Sequence, residues 1–253
     1  RLYRAVEACS DFACSLGINI PTGKDSLSMT QKYGKDKVYS PGTVIISAGA
    51  EVSDIRKVVS PVLRTGIDST VYYIDFSFDK LKLGGSAFAQ SLDKIGKEVP
   101  TVQDSEYFAN AFNAVQELIN KELILAGHDI SAGGMITTML EMNFANTEGG
   151  LEVSLDEIPK KDLVKILFSE NPGILIQVEK TDEVEKILKK AGVAFIRLAR
   201  PCDERHLLIH KDGADYQFFI DHLRDVWFES SYLLDCKQSG EKAAKDRFLN
   251  YKE

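Results

Sequence analysis

Gly23-Lys24-Asp25-Ser26 brings together a flexible backbone, a cation, a carboxylate and a hydroxyl. That set suits a phosphorylated ligand, because ammonium and hydroxyl groups pair with phosphate oxygens. A P-loop is excluded on count: five residues separate Gly17 from Gly23, where that loop needs about four. Asp25 also stands where the magnesium-binding Ser or Thr belongs. The same residue types make an ordinary solvated turn, so both roles stay open here.

His128-Asp129-Ile130-Ser131, followed by Gly133-Gly134, is the second such string. A carboxylate at a strand end suits a hard cation such as Mg2+, and backbone N–H groups at the start of the next helix suit phosphate. Magnesium bridging Asp129 to a nucleotide phosphate is one assignment. The other makes Ser131 a simple N-cap and Asp129 a salt-bridge partner. Gly84-Gly85-Ser86 is a tight connection before a helix. His206 and His210 share a strand face without a third ligand nearby in sequence, which argues against zinc.

These strings need elements to hold them. Leu2, Val6, Cys9, Phe12 and Leu16 recur at helical spacing before Gly17, with Cys9 and Cys14 as small apolar fillers. Thr43 to Ala48 is expected as a buried strand, and Ser53-Asp54 as the cap of a short helix. Residues 64–68 have the look of a hinge. Val71 to Phe76 is rich in β-formers. Helices are expected after Gly85 and from Asp104, a short strand at Leu123–Ala126, and a loop from Gly127 to Gly134. A helix with core residues Met135, Met139 and Met142 follows. Further expectations are a strand at Ile174–Val178 and a helix capped by Thr181 whose Lys186, Lys189 and Lys190 face solvent. A hairpin turning at Asp212-Gly213 and a final helix through Trp227 complete the series. Strands and helices mixed with an antiparallel hairpin argue an α+β fold.

Composition bounds the function. The chain has 253 residues, 44% hydrophobic and 27% charged, with a net charge of −7. This is ordinary globular usage, and an acidic chain is poorly suited to sequence-independent nucleic-acid binding. No apolar run approaches the ~18–20 residues of a membrane span. Four scattered cysteines do not form a disulfide framework and favour a reducing, cytoplasmic setting. A first residue already inside a periodic pattern suggests a piece of something longer.

Taken together, the strings resemble the large formylglycinamide ribonucleotide amidotransferases, the phosphoribosylformylglycinamidine synthases. Ile20-Pro21-Thr22-Gly23-Lys24-Asp25-Ser26-Leu27-Ser28-Met29 is similar to that family's P-V-G-K-D-S-M-S-M. Leu83 to Gln90 is similar to its L-G-G-S-A-L-A-Q, and Gly127 to Phe144 to its G-H-D-R-S-D-G-G segment. Leu167-Phe168-Ser169-Glu170 and Trp227-Phe228-Glu229-Ser230-Ser231 match two later family strings, in the same order.

The resemblance implies an aminoimidazole ribonucleotide synthetase-like fold, this chain being most of the second of two tandem copies. Residues 1–65 would be the remainder of a barrel-forming subdomain and 66–220 an α/β subdomain with a mixed sheet. Residues 221–253 would be a helical tail leading towards a glutaminase domain. It implies ATP/ADP and Mg2+ as cofactors, a ribonucleotide substrate, and the rest of the parent chain as partner. The implied reaction uses ATP to activate an amide oxygen, after which ammonia from glutamine displaces phosphate to give an amidine. Lys24 and Ser26, with Gly23 and Asp25, would contact substrate and phosphate, while Asp129 and Ser131 would hold magnesium and nucleotide at an auxiliary site. Ile130 and Ala132 depart from the family's arginine and aspartate. Competing expectations are a scaffold copy whose nucleotide only holds the architecture together, or another ATP-using member of the superfamily, such as aminoimidazole ribonucleotide synthetase or selenophosphate synthetase.

Overall fold

The structure, a computed structural model, describes residues 2–24, 29–39, 43–159 and 161–250, and it divides into units Arg1–Ile55 and Arg56–Glu253. The first unit holds helix α1 (Leu2–Ser15), which ends ahead of Gly17, and a hairpin of β1 (Thr30–Tyr33) and β2 (Asp36–Tyr39). None of its described residues is buried. The expected strand at Thr43–Ala48 is absent: Val44, Ile45 and Ile46 are exposed. A strand needs a ladder, and the described sheet residues of this unit pair only with each other. Cys9 is half-buried and Cys14 exposed, so neither fills a core.

In the second unit, a run of apolar β-formers becomes β3 (Thr70–Asp75), an interior strand, third in order, of a seven-stranded sheet. The other strands are β4 (Ala126–Asp129), β5 (Gly150–Ser154), β6 (Gly173–Val178), β7 (Phe195–Cys202), β8 (His206–Lys211) and β9 (Ala214–Phe219). Their order is β4-β6-β3-β7-β5-β8-β9, antiparallel except for the parallel β5–β8 pair. The helices are α2 (Ala87–Ser91), α3 (Ser105–Asn120), α4 (Gly134–Phe144), α5 (Leu163–Phe168), α6 (Thr181–Lys190), α7 (Ile220–Ser239) and α8 (Glu241–Asn250). The fold is α+β with a mixed sheet.

Strand periodicity sends alternate residues of β3 to opposite faces. Val71 and Tyr73 join one core with Met135, Met139 and Met142 of α4, while Tyr72 and Ile74 join another with α3 and α6. The expected Leu123–Ala126 strand is shifted to β4. Residues 122 and 123 are used in terminating α3, their N–H groups donating to Ile119 and Leu118 carbonyls at 3.0 Å each. The ladder with β6 then runs from Ala126 opposite Gln177 to Asp129 opposite Ile174, so Gly127-His128-Asp129 is strand rather than loop. Thr181 opens α6 instead of capping it; the cap position is Lys180, without a side-chain bond. At the other end of the chain, α8 folds back on α7 through Arg247–Asp235 and Tyr232–Phe248 contacts. No helix among the described residues is long and apolar enough to cross a membrane.

Lys186, Lys189 and Lys190 are exposed, as expected of that face, and Lys189 Nζ also donates to Glu185 at 2.8 Å. Glu185 also accepts from Arg197 Nε at 2.7 Å and from Tyr72 Oη at 2.9 Å. Chiefly through Lys189, and against the opposing push of burial, its carboxyl lies at about 2. A folded-state value below the ordinary 4.5 gives stabilisation that is complete above that value and lost as pH falls towards 2. The melting-temperature deficit of Glu185→Gln is therefore expected to hold steady above about pH 6 and to shrink between about pH 5 and 3. A deficit that stays constant across that acid range would show that ionisation of Glu185 contributes no net stability.

Candidate functional site

Asp129 ends edge strand β4, and the chain turns there into α4. The main chain is fixed on both sides. Ile130 N–H donates to Gly173 O at 2.9 Å, Thr138 Oγ1 donates back to Asp129 O at 3.2 Å, and His128 Nδ1 donates to the same carbonyl at 2.8 Å. The carboxylate itself is left out in solvent, 76% exposed. Among the described residues its one ion-pair contact is His128 Nδ1 at 3.5 Å, while His128 Nε2 lies 3.4 Å from Glu141. This contact is the salt-bridge reading of Asp129, and exposed pairs of this kind are worth ~0–1 kcal/mol.

Ser131 is not the N-cap. That position belongs to Gly133, which has no side chain to cap with, and the Ser131 hydroxyl makes no hydrogen bond among the described residues. Its carbonyl accepts from Gly134 N–H at 3.0 Å. The result is an exposed carboxylate and a free hydroxyl two residues apart, at the start of an 11-residue helix. A cation on Asp129 and an anion near the helix start match that electrostatics. Ile130 is buried in the core, and Ala132 is exposed beside Ser131. Asp129 also borders a concave space of about 370 Å³ whose walls include Val59, Val115, Ile119, Ile174 and Ile176. That volume falls within the range of small-ligand clefts.

The glycine pair is demanded by packing. Gly134 has φ +73, and a Cβ there would lie 2.7 Å from Leu167 O and 2.8 Å from Phe168 main-chain atoms. Segment 167–171 thus lies against the start of α4. It also meets α2, where Phe168 stacks on Phe88 with centroids 4.6 Å apart. Asn171 Nδ2 donates to Ser77 Oγ and Lys80 O, both at 3.2 Å, bracing the loop that leads to Gly84-Gly85. In that loop, Asp79 meets Lys82 Nζ at 2.6 Å. Burial raises the Asp79 carboxyl, but Lys82 and the donors on Lys80, Gln103 and Thr101 outweigh it and hold the group below its ordinary value.

Gly23 and Lys24 lie in the first unit. Lys24 is exposed, and the space around Gly23 is open. Asp25 and Ser26 lie outside the described residues. His206 and His210 belong to no cluster of metal-ligating side chains, and none exists among the described residues. Sequence reasoning assigned no role to Glu170, whose carboxylate reaches both glycine-rich turns. Its only signal was membership of the Leu167-Phe168-Ser169-Glu170 string.

Residues 70–207 match the family described as AIR synthase related protein, C-terminal domain, and residues 1–51 match the FGAR-AT PurM_N-like domain. Curated relatives include the probable phosphoribosylformylglycinamidine synthase, chloroplastic/mitochondrial, of Arabidopsis thaliana, 37% identical over 94% of this chain and 17% of its own length. The probable enzyme of that name from Caenorhabditis elegans is 36% identical over 97% of this chain and 20% of its own. The Homo sapiens phosphoribosylformylglycinamidine synthase is 33% identical over 94% and 18%. The chain thus spans about a fifth of the length of the curated relatives it matches. Among solved structures, T. maritima PurL complexed with ATP superposes with a TM-score of 0.53 at 15% identity, over 67% of this chain and 28% of that one. T. maritima PurL complexed with FGAR gives 0.52 at 20% identity, over 67% and 30%. At these identities the superpositions speak for the fold.

Proposed function

Because the chain belongs to the AIR synthase related family, we propose that it works as part of a phosphoribosylformylglycinamidine synthase, an ATP-dependent carbon–nitrogen ligase of purine biosynthesis. The observation that carries this proposal is the likeness to synthases of that name along 94–97% of the chain. In this reading formylglycinamide ribonucleotide, ATP and glutamine become formylglycinamidine ribonucleotide, ADP, phosphate and glutamate. The amide oxygen attacks the γ-phosphorus of ATP and expels ADP. Ammonia then adds to the activated carbon, and the carbon–oxygen bond breaks to release phosphate. Little covalent work falls to the protein, so its contribution is positioning and phosphate electrostatics.

Residues 1–65, 66–220 and 221–253 would be the remainder of a first subdomain, an α/β subdomain and a linking tail. The limits of the family matches at 1–51 and 70–207 support that division. A first synthetase-like copy and a glutaminase domain would complete the parent chain. Lys24 would pair with phosphate, with Gly23, Asp25 and Ser26 around the ribonucleotide. Asp129 and Ser131 would hold the magnesium and nucleotide of an auxiliary site. A single exposed carboxylate fits Mg2+, which keeps several waters and takes the rest of its shell from phosphate oxygens. When bound, that ion neutralises phosphate charge. All four cysteines are free, which supports a cytoplasmic setting.

The test uses the full-length protein that carries this chain. Wild type should form the amidine from the ribonucleotide, ATP and glutamine. Lys24→Ala should lower kcat/KM roughly ten- to a hundredfold, since a charge-assisted hydrogen bond is worth ~1.5–3 kcal/mol. Glutaminase activity should be unchanged. An inactive wild type would remove the proposal, and unaltered kinetics in the variant would leave Lys24 as part of a solvated turn.

A further inference from the structure

Glu170 lies just beyond α5, and one of its carboxylate oxygens serves two distant turns. Oε1 accepts from Ala87 N–H at 2.7 Å and from Gly133 N–H at 2.8 Å. Ala87 is the first residue of α2, and Gly133 is the N-cap of α4. Helix starts leave N–H groups without intrahelical partners, and a cap side chain normally satisfies one or more of them. In α2, Ser86 does part of this by accepting from Ala89 N–H at 3.2 Å. Gly133 cannot cap, so at both turns a remaining donor is met by Glu170.

The bond is charge-assisted and lies at the positive end of both helices, which strengthens it relative to a neutral pair. It also has a geometric effect. Both donors must stay within hydrogen-bond reach of the same atom, so Gly84-Gly85-Ser86-Ala87 and Ser131-Ala132-Gly133-Gly134 hold a fixed spacing. We infer that Glu170 is a positioning residue for the nucleotide site, clamping the α2 and α4 turns so that Asp129 and Ser131 present a preformed edge. This inference rests on the auxiliary-site assignment of Asp129 and Ser131. Glu170 acts through the main chain and contacts no substrate.

The test compares full-length wild type with Glu170→Ala, Glu170→Gln, Asp129→Asn and Leu188→Ala, measuring Mg-ATP affinity well below each melting temperature. Leu188 is buried in the other core, so its truncation destabilises the same unit without touching either turn. Glu170→Ala should weaken affinity at least tenfold. Glu170→Gln keeps an acceptor oxygen of the same reach and should stay within about threefold of wild type. Leu188→Ala should lower the melting temperature while leaving affinity unchanged. Glu170→Ala binding within twofold of wild type would overturn the inference, as would an equal loss in Leu188→Ala, which would reduce the effect to general destabilisation. Should Asp129→Asn bind as tightly as wild type while Glu170→Ala does not, the auxiliary-site assignment falls and the clamp serves another ligand edge. Should Glu170→Ala fail to fold, failure of Glu170→Gln to bind would by itself overturn the acceptor role.

Discussion

Asp129→Asn, made in the full-length protein, is expected to release nucleotide that otherwise co-purifies and to lower the melting temperature. The substitution keeps shape and removes one formal charge. An exposed surface pair such as His128–Asp129 would lose at most ~1 kcal/mol by that exchange. A hard cation held by this carboxylate and by phosphate oxygens would lose a charged protein ligand, and the loss would pass to the nucleotide. A ligand present at about 100 times its dissociation constant stabilises the native state by ~2.7 kcal/mol. Most of that should vanish in the variant when ATP and magnesium are present, and none of it when they are omitted. Ser131→Ala should show the same pattern more weakly. Nucleotide content is read by chromatography of the denatured protein; equal amounts in wild type and Asp129→Asn would leave Asp129 as a structural carboxylate.

Gly134→Ala should be the most damaging single-methyl change near the site. Alanine at φ +73 is in the left-handed region, at a cost of about 1–2 kcal/mol. Its Cβ would then stand 2.7 Å from Leu167 O and 2.8 Å from the Phe168 main chain, and forced overpacking of this kind costs about 1–3 kcal/mol more. The sum, roughly 2–5 kcal/mol, is a large share of a domain's net stability. Gly213, at φ +80 in the β8–β9 turn, separates the two terms, because a Cβ there meets nothing within 4 Å. Gly213→Ala should lose only the conformational part. Denaturant midpoints measure both variants. Equal losses would mean that segment 167–168 yields freely and that the glycine pair is not packed against it.

The sequence made the second unit legible wherever local chemistry and burial agree. Val71 to Ile74 is apolar at every position because β3 is buried on both faces. Met135, Met139 and Met142 recur at helical spacing and are all buried. Asp212-Gly213 supplies the pair of positive φ angles that a two-residue hairpin turn needs. Misreadings arose where distant partners decide. Leu123 has the apolar character of a strand residue, yet its N–H is used in closing α3, and Gly-His-Asp becomes a strand only because β6 offers it a ladder. Thr43–Ala48 has strand composition and no ladder. β5 was missed because Gly149-Gly150 ends the preceding helix pattern and conceals the short alternating strand that follows. Asp129 and Ser131 stood out in the sequence, and the structure puts them at the end of β4 and in the turn before α4. Glu170 did not stand out, since a glutamate that caps helices 83 and 37 residues away has no local signature.

The strand order has a consequence for synthesis. β3 is among the first strands of its sheet to leave the ribosome, yet its neighbours are β6 and β7. β6 begins at Gly173, about a hundred residues downstream of Asp75, so at translation rates of about 5–20 residues per second β3 waits on the order of 5–20 s for its first partner. During that interval Val71-Tyr72-Tyr73-Ile74 is an uncharged, β-prone segment with both edges unpaired, the composition that seeds intermolecular pairing. The nascent chain is therefore most open to aggregation, and most dependent on chaperones, between the emergence of β3 and that of β6.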